Sequence, residues 1–252
     1  MLDFVAVIPA RFASSRLPGK PLAEIGGIPM VVHVARRAAQ SGARDVWIAT
    51  DHEAIASCVE KHGFKARMTS IHHASGTDRI AEIASGWPAD TLIVNVQGDE
   101  PLIDADLISN VARKLHEDAR IQAATACCPI LGWDEMKNTN IVKVVLDAQG
   151  HALYFSRAEI PFARDAARDA PLPEGFPAWR HIGIYAYRAG FLKTYSSLAP
   201  AAIERFEALE QLRLLWNGYR IGVIHANIPH AGVDTPEDLE RARSFYFNHE
   251  GK

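Results

Sequence analysis

The chain has 252 residues, enough for one large α/β domain or a domain carrying a small lobe. A net charge of −3 offers no basis for bulk nucleic-acid binding. Three cysteines, Cys58, Cys127 and Cys128, are too few for a disulfide framework, and their spacing suits no zinc site. The N-terminus has no basic start followed by an apolar stretch, and no apolar run reaches membrane-spanning length. A reducing cytoplasm, with no membrane insertion, is the expectation.

Elements alternate through the first half. Strands are expected at 4–8, 45–49, 92–96 and 121–127, each a short and nearly continuous apolar run of the kind that is covered on both faces. Helical patterns fill 28–41, 52–62, 76–85 and 104–116, with Asp104 as an N-cap region. This alternation predicts a parallel sheet with helical crossovers. The pattern changes after about residue 128. Strands are expected at 141–147, 152–155 and 182–187, with a turn at 147–150 and a mobile surface loop over 165–178. We read 1–252 as a single domain, with 129–200 as a mixed α/β insertion lobe within it that carries a dimer contact. Helix at 203–216, strand at 219–225 and a closing helix at 236–247 complete the chain.

The most informative segment follows the first strand. Residues 9–20 read PARFASSRLPGK, with Arg11, Arg16 and Lys20 in a loop rich in Pro, Ser and Gly. Open α/β sheets bind ligands at the carboxyl ends of their strands. Backbone N–H groups and three placed cations there suit a polyphosphate. Neither a Walker pattern nor a dinucleotide-type glycine fingerprint is present, which sets aside a Rossmann dehydrogenase. Asp99 follows the strand ending near Val96, where a carboxylate suits Mg²⁺, a cation that demands hard oxygen ligands. Asp234 lies between a strand and the last helix and reads equally as a helix-cap residue. The adjacent pair His72 and His73 has no ligand spacing and reads as surface loop.

Several motifs stand together: IPARFASSRLPGKPL (8–22), ATD (49–51), SGTDR (75–79), NVQGDEP (95–101), KVVLD (143–147), YFSR (154–157), HIGIY (181–185), LEQLR (209–213) and GVDTPEDL (232–239). In that order and spacing the chain resembles the 3-deoxy-manno-octulosonate cytidylyltransferases, or CMP-Kdo synthetases, over nearly its whole length. The resemblance implies a nucleotide-diphospho-sugar transferase-like α/β fold, a mostly parallel mixed sheet flanked by helices. It also implies CTP and Kdo as substrates, Mg²⁺ as cofactor, a homodimer and a place in lipopolysaccharide biosynthesis.

Site residues follow partly from the chemistry of the loop and partly from positions that match the family. Pro9, Ala10, Arg11, Ser14, Arg16, Lys20, Ser75 and Gly76 are expected around the nucleotide, with Ala13 and Ala74 as further edges for the base. The family's metal ligands match Asp99 and Asp234. Arg11, Lys20, Asp99 and Asp234 form the expected catalytic set. Arg79, Gln97, His181, Tyr185, Glu210 and Gln211 match positions that touch the sugar, and Arg157 and Arg164 are further cations for phosphate or substrate. On the residues alone, Tyr185 on an alternating strand reads first as core, and His181 equally as a structural histidine. Phe162 stands where the family pattern has Trp. The implied reaction is attack of the anomeric hydroxyl of Kdo on the α-phosphorus of CTP, with pyrophosphate leaving. The alternatives are a cytidylyltransferase for 8-amino-Kdo or neuraminate, an enzyme joining a nucleotide to a sugar 1-phosphate, and a non-catalytic nucleotide-binding module.

Overall fold

The N-terminal apolar run forms a strand, β1 (Phe4–Ala10), that feeds two cores. Phe4, Ala6, Ile8 and Ala10 face one, while Val5 and Val7 face the other, as the twofold period of a strand dictates. The computed structural model describes residues 2–13, 17–73, 75–227 and 232–249. One 3-10 turn at Lys20–Leu22 leads into a hairpin, β2 (Glu24–Ile25) and β3 (Ile28–Pro29). Its turn residues Gly26 and Gly27 have φ of 59° and 77°, a conformation glycine adopts without a Cβ penalty. Then come α1 (Met30–Gln40), β4 (Asp45–Thr50), α2 (Glu53–Lys61), β5 (Lys65–Met68), α3 (Gly76–Ala84), β6 (Leu92–Asn95) and α4 (Ala105–Glu117). The second half holds β7 (Ala123–Pro129), α5 (Trp133–Lys137), β8 (Lys143–Leu146), β9 (Ala152–Ser156) and β10 (Trp179–Arg188). It closes with α6 (Ala189–Ser197), α7 (Ala202–Glu207), α8 (Leu212–Trp216), β11 (Ile221–His225) and α9 (Pro236–His249).

The main sheet runs β11-β7-β10-β6-β1-β4-β5, with β8 pairing off β10 and β9 pairing β8. Strands β6, β1, β4 and β5 are parallel, so their carboxyl ends share one edge. Between β6 and β7 lies β10, antiparallel to both. Its register shifts between Ile182 and Tyr185, a bulge that leaves Gly183 outside the regular ladder. Helices α1, α2 and α4 cover one face, through residues such as Val34, Ile55 and Val111. The other face takes α3, α6 and α8, through Ile80, Leu192 and Leu212.

Several expected elements shift. The helix expected from residue 28 starts at Met30, because residues 28 and 29 belong to the hairpin. The helix expected over 203–216 is two, α7 and α8, broken where Ala208 turns left-handed at φ 52°. The edge strand β5 has no apolar pattern to betray it, since its residues are mostly exposed. Residues 129–200 contain β10, which runs through the middle of the main sheet. Among the rest, Ile130, Trp133, Met136 and Ala178 build a small core of their own. The 165–178 segment is irregular yet attached to that core. Leu172 and Phe176 pack against it, and the Trp133 indole N–H donates to the Ala170 carbonyl at 2.8 Å. Lys143 is fully buried on β8, its ammonium donating to the carbonyls of Asn138, Ile141 and Arg157 at 2.9, 2.9 and 2.7 Å. Three acceptors offset the cost of burying that charge.

Candidate active site

The loops that leave β1 and β6 meet at the carboxyl edge of the sheet. Gly98 makes this approach possible, because a Cβ there would sit 2.7 Å from the Pro9 carbonyl oxygen. The next residue, Asp99, is thereby carried against the loop after β1. Asp234 arrives from the far end of the sequence. The Val233 N–H donates to the Asp99 carbonyl at 2.8 Å, tying the two acidic segments main chain to main chain. At the start of α9, Thr235 and Asp238 cap each other: the Asp238 N–H donates to Thr235 Oγ1 at 3.2 Å, and Asp238 Oδ2 accepts from the Thr235 N–H at 2.9 Å. The capping work falls on those two, so the Asp234 carboxylate is turned to Lys20 instead.

Lys20 joins the acids. Its Nζ lies 2.7 Å from Asp99 Oδ2 and 3.0 Å from Asp234 Oδ1. Burial alone would lower the pKa of this ammonium, but Asp99 and then Asp234 outweigh burial and raise it above the ordinary lysine value. These three side chains border a cleft of about 330 Å³. Pro9, Ala10, Arg11 and Ala13 line it from the β1 side, and Gln97 from the β6 side. Gln97 is aimed by its Nε2–H group, which donates to the Gly183 carbonyl at the β10 bulge, 3.0 Å away. Glu100 does not line the cleft. It is buried, and desolvation, followed by the Asp99 charge, pushes its carboxyl up to about 8. A larger cavity of about 580 Å³ lies elsewhere, beside Arg44 and Arg188. Those cations are already engaged, Arg44 with Asp3 and Arg188 with the Leu115 and Ile121 carbonyls, so the smaller cleft is the chemically equipped one.

The expected sugar-side residues group only in part: His181 and Tyr185 touch, with Glu210 close enough to add to the rise that burial gives the Tyr185 pKa, while Arg157 and Arg164 are engaged elsewhere. His181 is only half-buried as a residue, yet its ring is packed against Phe155 and Tyr185, with Nε2 3.0 Å from both Thr125 Oγ1 and the Tyr185 hydroxyl. Burial pushes its pKa down to about 3, so the ring is neutral. Tyr185 is buried in the same group, and Tyr187 stacks on it at 5.8 Å. Gln211 is buried as well, whereas Glu210 is exposed as a residue yet has its carboxyl 3.5 Å from Thr77 Oγ1 and bonded to Ser75, where burial, then the Asp78 charge, raises its pKa. Ser75 caps α3, accepting from the Asp78 N–H at 3.1 Å, and Gly76 packs beside Pro9. Arg79 is fully buried, its guanidinium paired with Asp51 at 2.9 Å and bonded to Thr69. Desolvation, partly offset by Asp51, lowers its pKa. Arg157 spends its Nε on the Glu207 carbonyl and its Nη1 on the Thr139 carbonyl, at 2.8 and 3.0 Å. The Arg164 side chain is 90% exposed, with its Nε 3.8 Å from Asp165 Oδ1. Ser14, Arg16 and Ala74 lie outside the described residues. Sequence reasoning gave no role to Gly98 or Asp51. The signal for Gly98 was its place between Gln97 and Asp99, and for Asp51 its place at the end of β4.

Comparisons with known proteins bear on the family and the fold. A profile of the cytidylyltransferase family matches residues 5–221, a range that includes Lys20 and Asp99 but ends before Asp234. Among solved structures, a CMP:2-keto-3-deoxy-manno-octonic acid synthetase complexed with CTP is 41% identical, covers 98% of each chain and superposes with a TM-score of 0.89. A cytidylyltransferase from Leptospira borgpetersenii serovar Hardjo-bovis is 18% identical, covering 98% of this chain and 87% of its own, with a TM-score of 0.63. A protein described as a glucose-1-phosphate thymidylyltransferase, from Bacillus anthracis and in complex with sucrose, is 17% identical, covering 97% and 95%, with a TM-score of 0.66. The last two share the fold, a mostly parallel mixed sheet flanked by helices. The chain belongs to the cytidylyltransferase family and is a CTP-dependent enzyme of that class.

Proposed function

We propose that this protein transfers CMP from CTP to the anomeric hydroxyl of 3-deoxy-D-manno-octulosonate, releasing pyrophosphate. The observation that carries the reading is the convergence of Lys20, Asp99 and Asp234 on one cleft, in a chain 41% identical along its length to a synthetase solved with CTP. The acceptor's anomeric oxygen forms a bond to the α-phosphorus as the bond from that phosphorus to the bridging oxygen breaks. Pyrophosphate leaves with the electron pair, and the hydroxyl proton passes to solvent. Arg11 and Lys20 neutralise charge on the triphosphate, the electrostatic part of phosphoryl-type transfer. Gln97, fixed by the β10 bulge, faces the acceptor.

The carboxylates of Asp99 and Asp234 fit a magnesium ion, because both already aim an oxygen at one cationic centre, the Lys20 ammonium, and both are hard oxygen donors. When bound, Mg²⁺ supplies charge neutralisation and lowers the pKa of a coordinated hydroxyl. Chain 1–252 works as a single domain, and we read 129–200 as the lobe through which two copies associate. Leu131, Leu153 and Phe162, 82%, 59% and 69% exposed, support an apolar contact there. Buried Cys127 and Cys128 and the absence of any disulfide among the described residues support a cytoplasmic setting, where the product serves lipopolysaccharide biosynthesis.

The test is pyrophosphate release with CTP, UTP and dTTP against Kdo, 8-amino-Kdo and neuraminate. Turnover should require CTP and Kdo together with Mg²⁺; equal turnover with neuraminate, or none with Kdo, overturns the assignment. Asp99→Asn and Asp234→Asn should each lose at least about a hundredfold in kcat while melting normally, the scale expected when an electrostatic contact to the reacting centre is removed. Near-normal turnover in either variant removes that acid from the metal site.

A further inference from the structure

Asp51 lies outside the cleft, yet it holds the loop that enters it. Strand β4 ends at Thr50, directly beside Ala10 at the end of β1. One residue on, Asp51 Oδ1 accepts the Phe12 N–H at 3.2 Å. Its other oxygen, Oδ2, accepts from Arg79 Nη2 at 2.9 Å. Arg79 is in turn held from below: it donates to Thr69 Oγ1, and Thr69 donates to the Thr50 carbonyl at 3.0 Å. The Phe12 ring stacks on His52 with centroids 3.9 Å apart and planes 15° from parallel. Arg11, which lines the cleft, therefore sits between two fixed points, Ala10 in the sheet and the Phe12 amide on Asp51.

We propose that Asp51 is a positioning residue for nucleotide binding, fixing the main chain at Phe12 so that Arg11 is aimed at the triphosphate. The charge of Asp51 has a second use. Arg11 is near enough to Arg79 to disfavour its charged form, and Asp51 counters that repulsion. Without the carboxylate, the Phe12 amide loses its acceptor and two guanidinium groups face one another. The buried end of Arg79 cannot move, so Arg11 swings out. Arg79, expected at the sugar, is on this reading the foundation of the nucleotide loop. The inference rests on Arg11 being a ligand of CTP.

The experiment is a mutant cycle on KM for CTP, with KM for the acceptor and the thermal midpoint measured alongside. Arg11→Ala should raise the CTP KM; if it does not, the reading of Arg11 fails, separately from the role of Asp51. Asp51→Ala should raise the CTP KM by about tenfold, the size of losing one charge-assisted hydrogen bond, with the acceptor KM changed less than about twofold. Asp51→Asn keeps a carbonyl oxygen for the Phe12 N–H but not the charge that faces Arg79, so it should recover part of the CTP KM although it melts lower. In the double variant the two effects should be well short of additive, because Asp51 acts through Arg11. If Asp51→Ala does not fold, the paired variant Asp51→Leu with Arg79→Met removes both buried charges together, a change such sites tolerate, and should still weaken CTP binding by calorimetry, because the Phe12 N–H remains without its acceptor. An unchanged CTP KM, full additivity with Arg11→Ala, or an Asn variant as impaired for CTP as the Ala variant overturns the proposal and leaves Asp51 a structural ion pair.

Discussion

Replacing Lys20 with methionine should tighten divalent-metal binding in the absence of nucleotide. The Lys20 ammonium lies 2.7 and 3.0 Å from Asp99 Oδ2 and Asp234 Oδ1, and those same carboxylates are the ones a magnesium ion would use. Metal must therefore displace the ammonium, unless a triphosphate draws it away first. The two acids are 31% and 45% exposed, so solvent weakens each pair. Taking about 1 kcal/mol for each, the upper end for solvent-screened pairs, gives about 2 kcal/mol of competition, or roughly thirtyfold in metal affinity. Methionine keeps the length of the side chain and removes the charge. Manganese titration followed by electron paramagnetic resonance reads the dissociation constant without any turnover. The nucleotide-free variant should bind about thirtyfold more tightly than the wild type, and CTP should strengthen binding to the wild type far more than to the variant. The variant should also melt lower without metal, its two carboxylates having lost the Lys20 charge, and recover as metal is added. Unchanged or weaker manganese binding by the variant would refute the reasoning.

Gly98→Ala should cut turnover sharply, because a Cβ 2.7 Å from the Pro9 oxygen forces apart the two loops that form the cleft. A stability loss of about 1–3 kcal/mol is the usual cost of such overpacking, readable by urea denaturation; normal kinetics would show that the loops do not need this approach. His181 governs part of the acid limb of stability. Its folded pKa of about 3 lies below the ordinary 6.5, so between those values the unfolded chain binds a proton that the folded chain does not. The contribution is fully present above the ordinary value and is lost as pH falls toward the folded one, at about 1.4 kcal/mol per pH unit. His181→Gln should therefore flatten stability between pH 4 and pH 6 by roughly that slope, and an identical pH profile by urea titration would sink the account.

Much of the fold was legible because the first half obeys simple periodicities. The short apolar runs at 4–8, 45–49 and 92–96 read as buried strands, and the structure places each within a residue or two of the expected bounds. Strand β5 was not legible, since an exposed edge strand carries no apolar pattern. Nor was the break at Ala208, where an alanine takes up a left-handed conformation that its chemistry disfavours and its surroundings impose. The position of β10 was hidden as well. Its sequence marks it as a strand, while its insertion between β6 and β7 depends on partners far away in the chain.

By itself the sequence determined the local chemistry: a basic loop after the first strand, acids at 99 and 234, and an ordered motif set that points to cytidylyl transfer. Those properties are carried by residue type and short-range spacing, so they can be read along one dimension. Only the tertiary structure decided which groups share the cleft. It brought Lys20 between two carboxylates 79 and 214 positions away, and it withdrew Arg79 and Arg157 into contacts of their own. The reason is that a hydrogen bond or ion pair is decided within a few ångströms, and such distances between remote residues are set by the packing of the sheet and its loops.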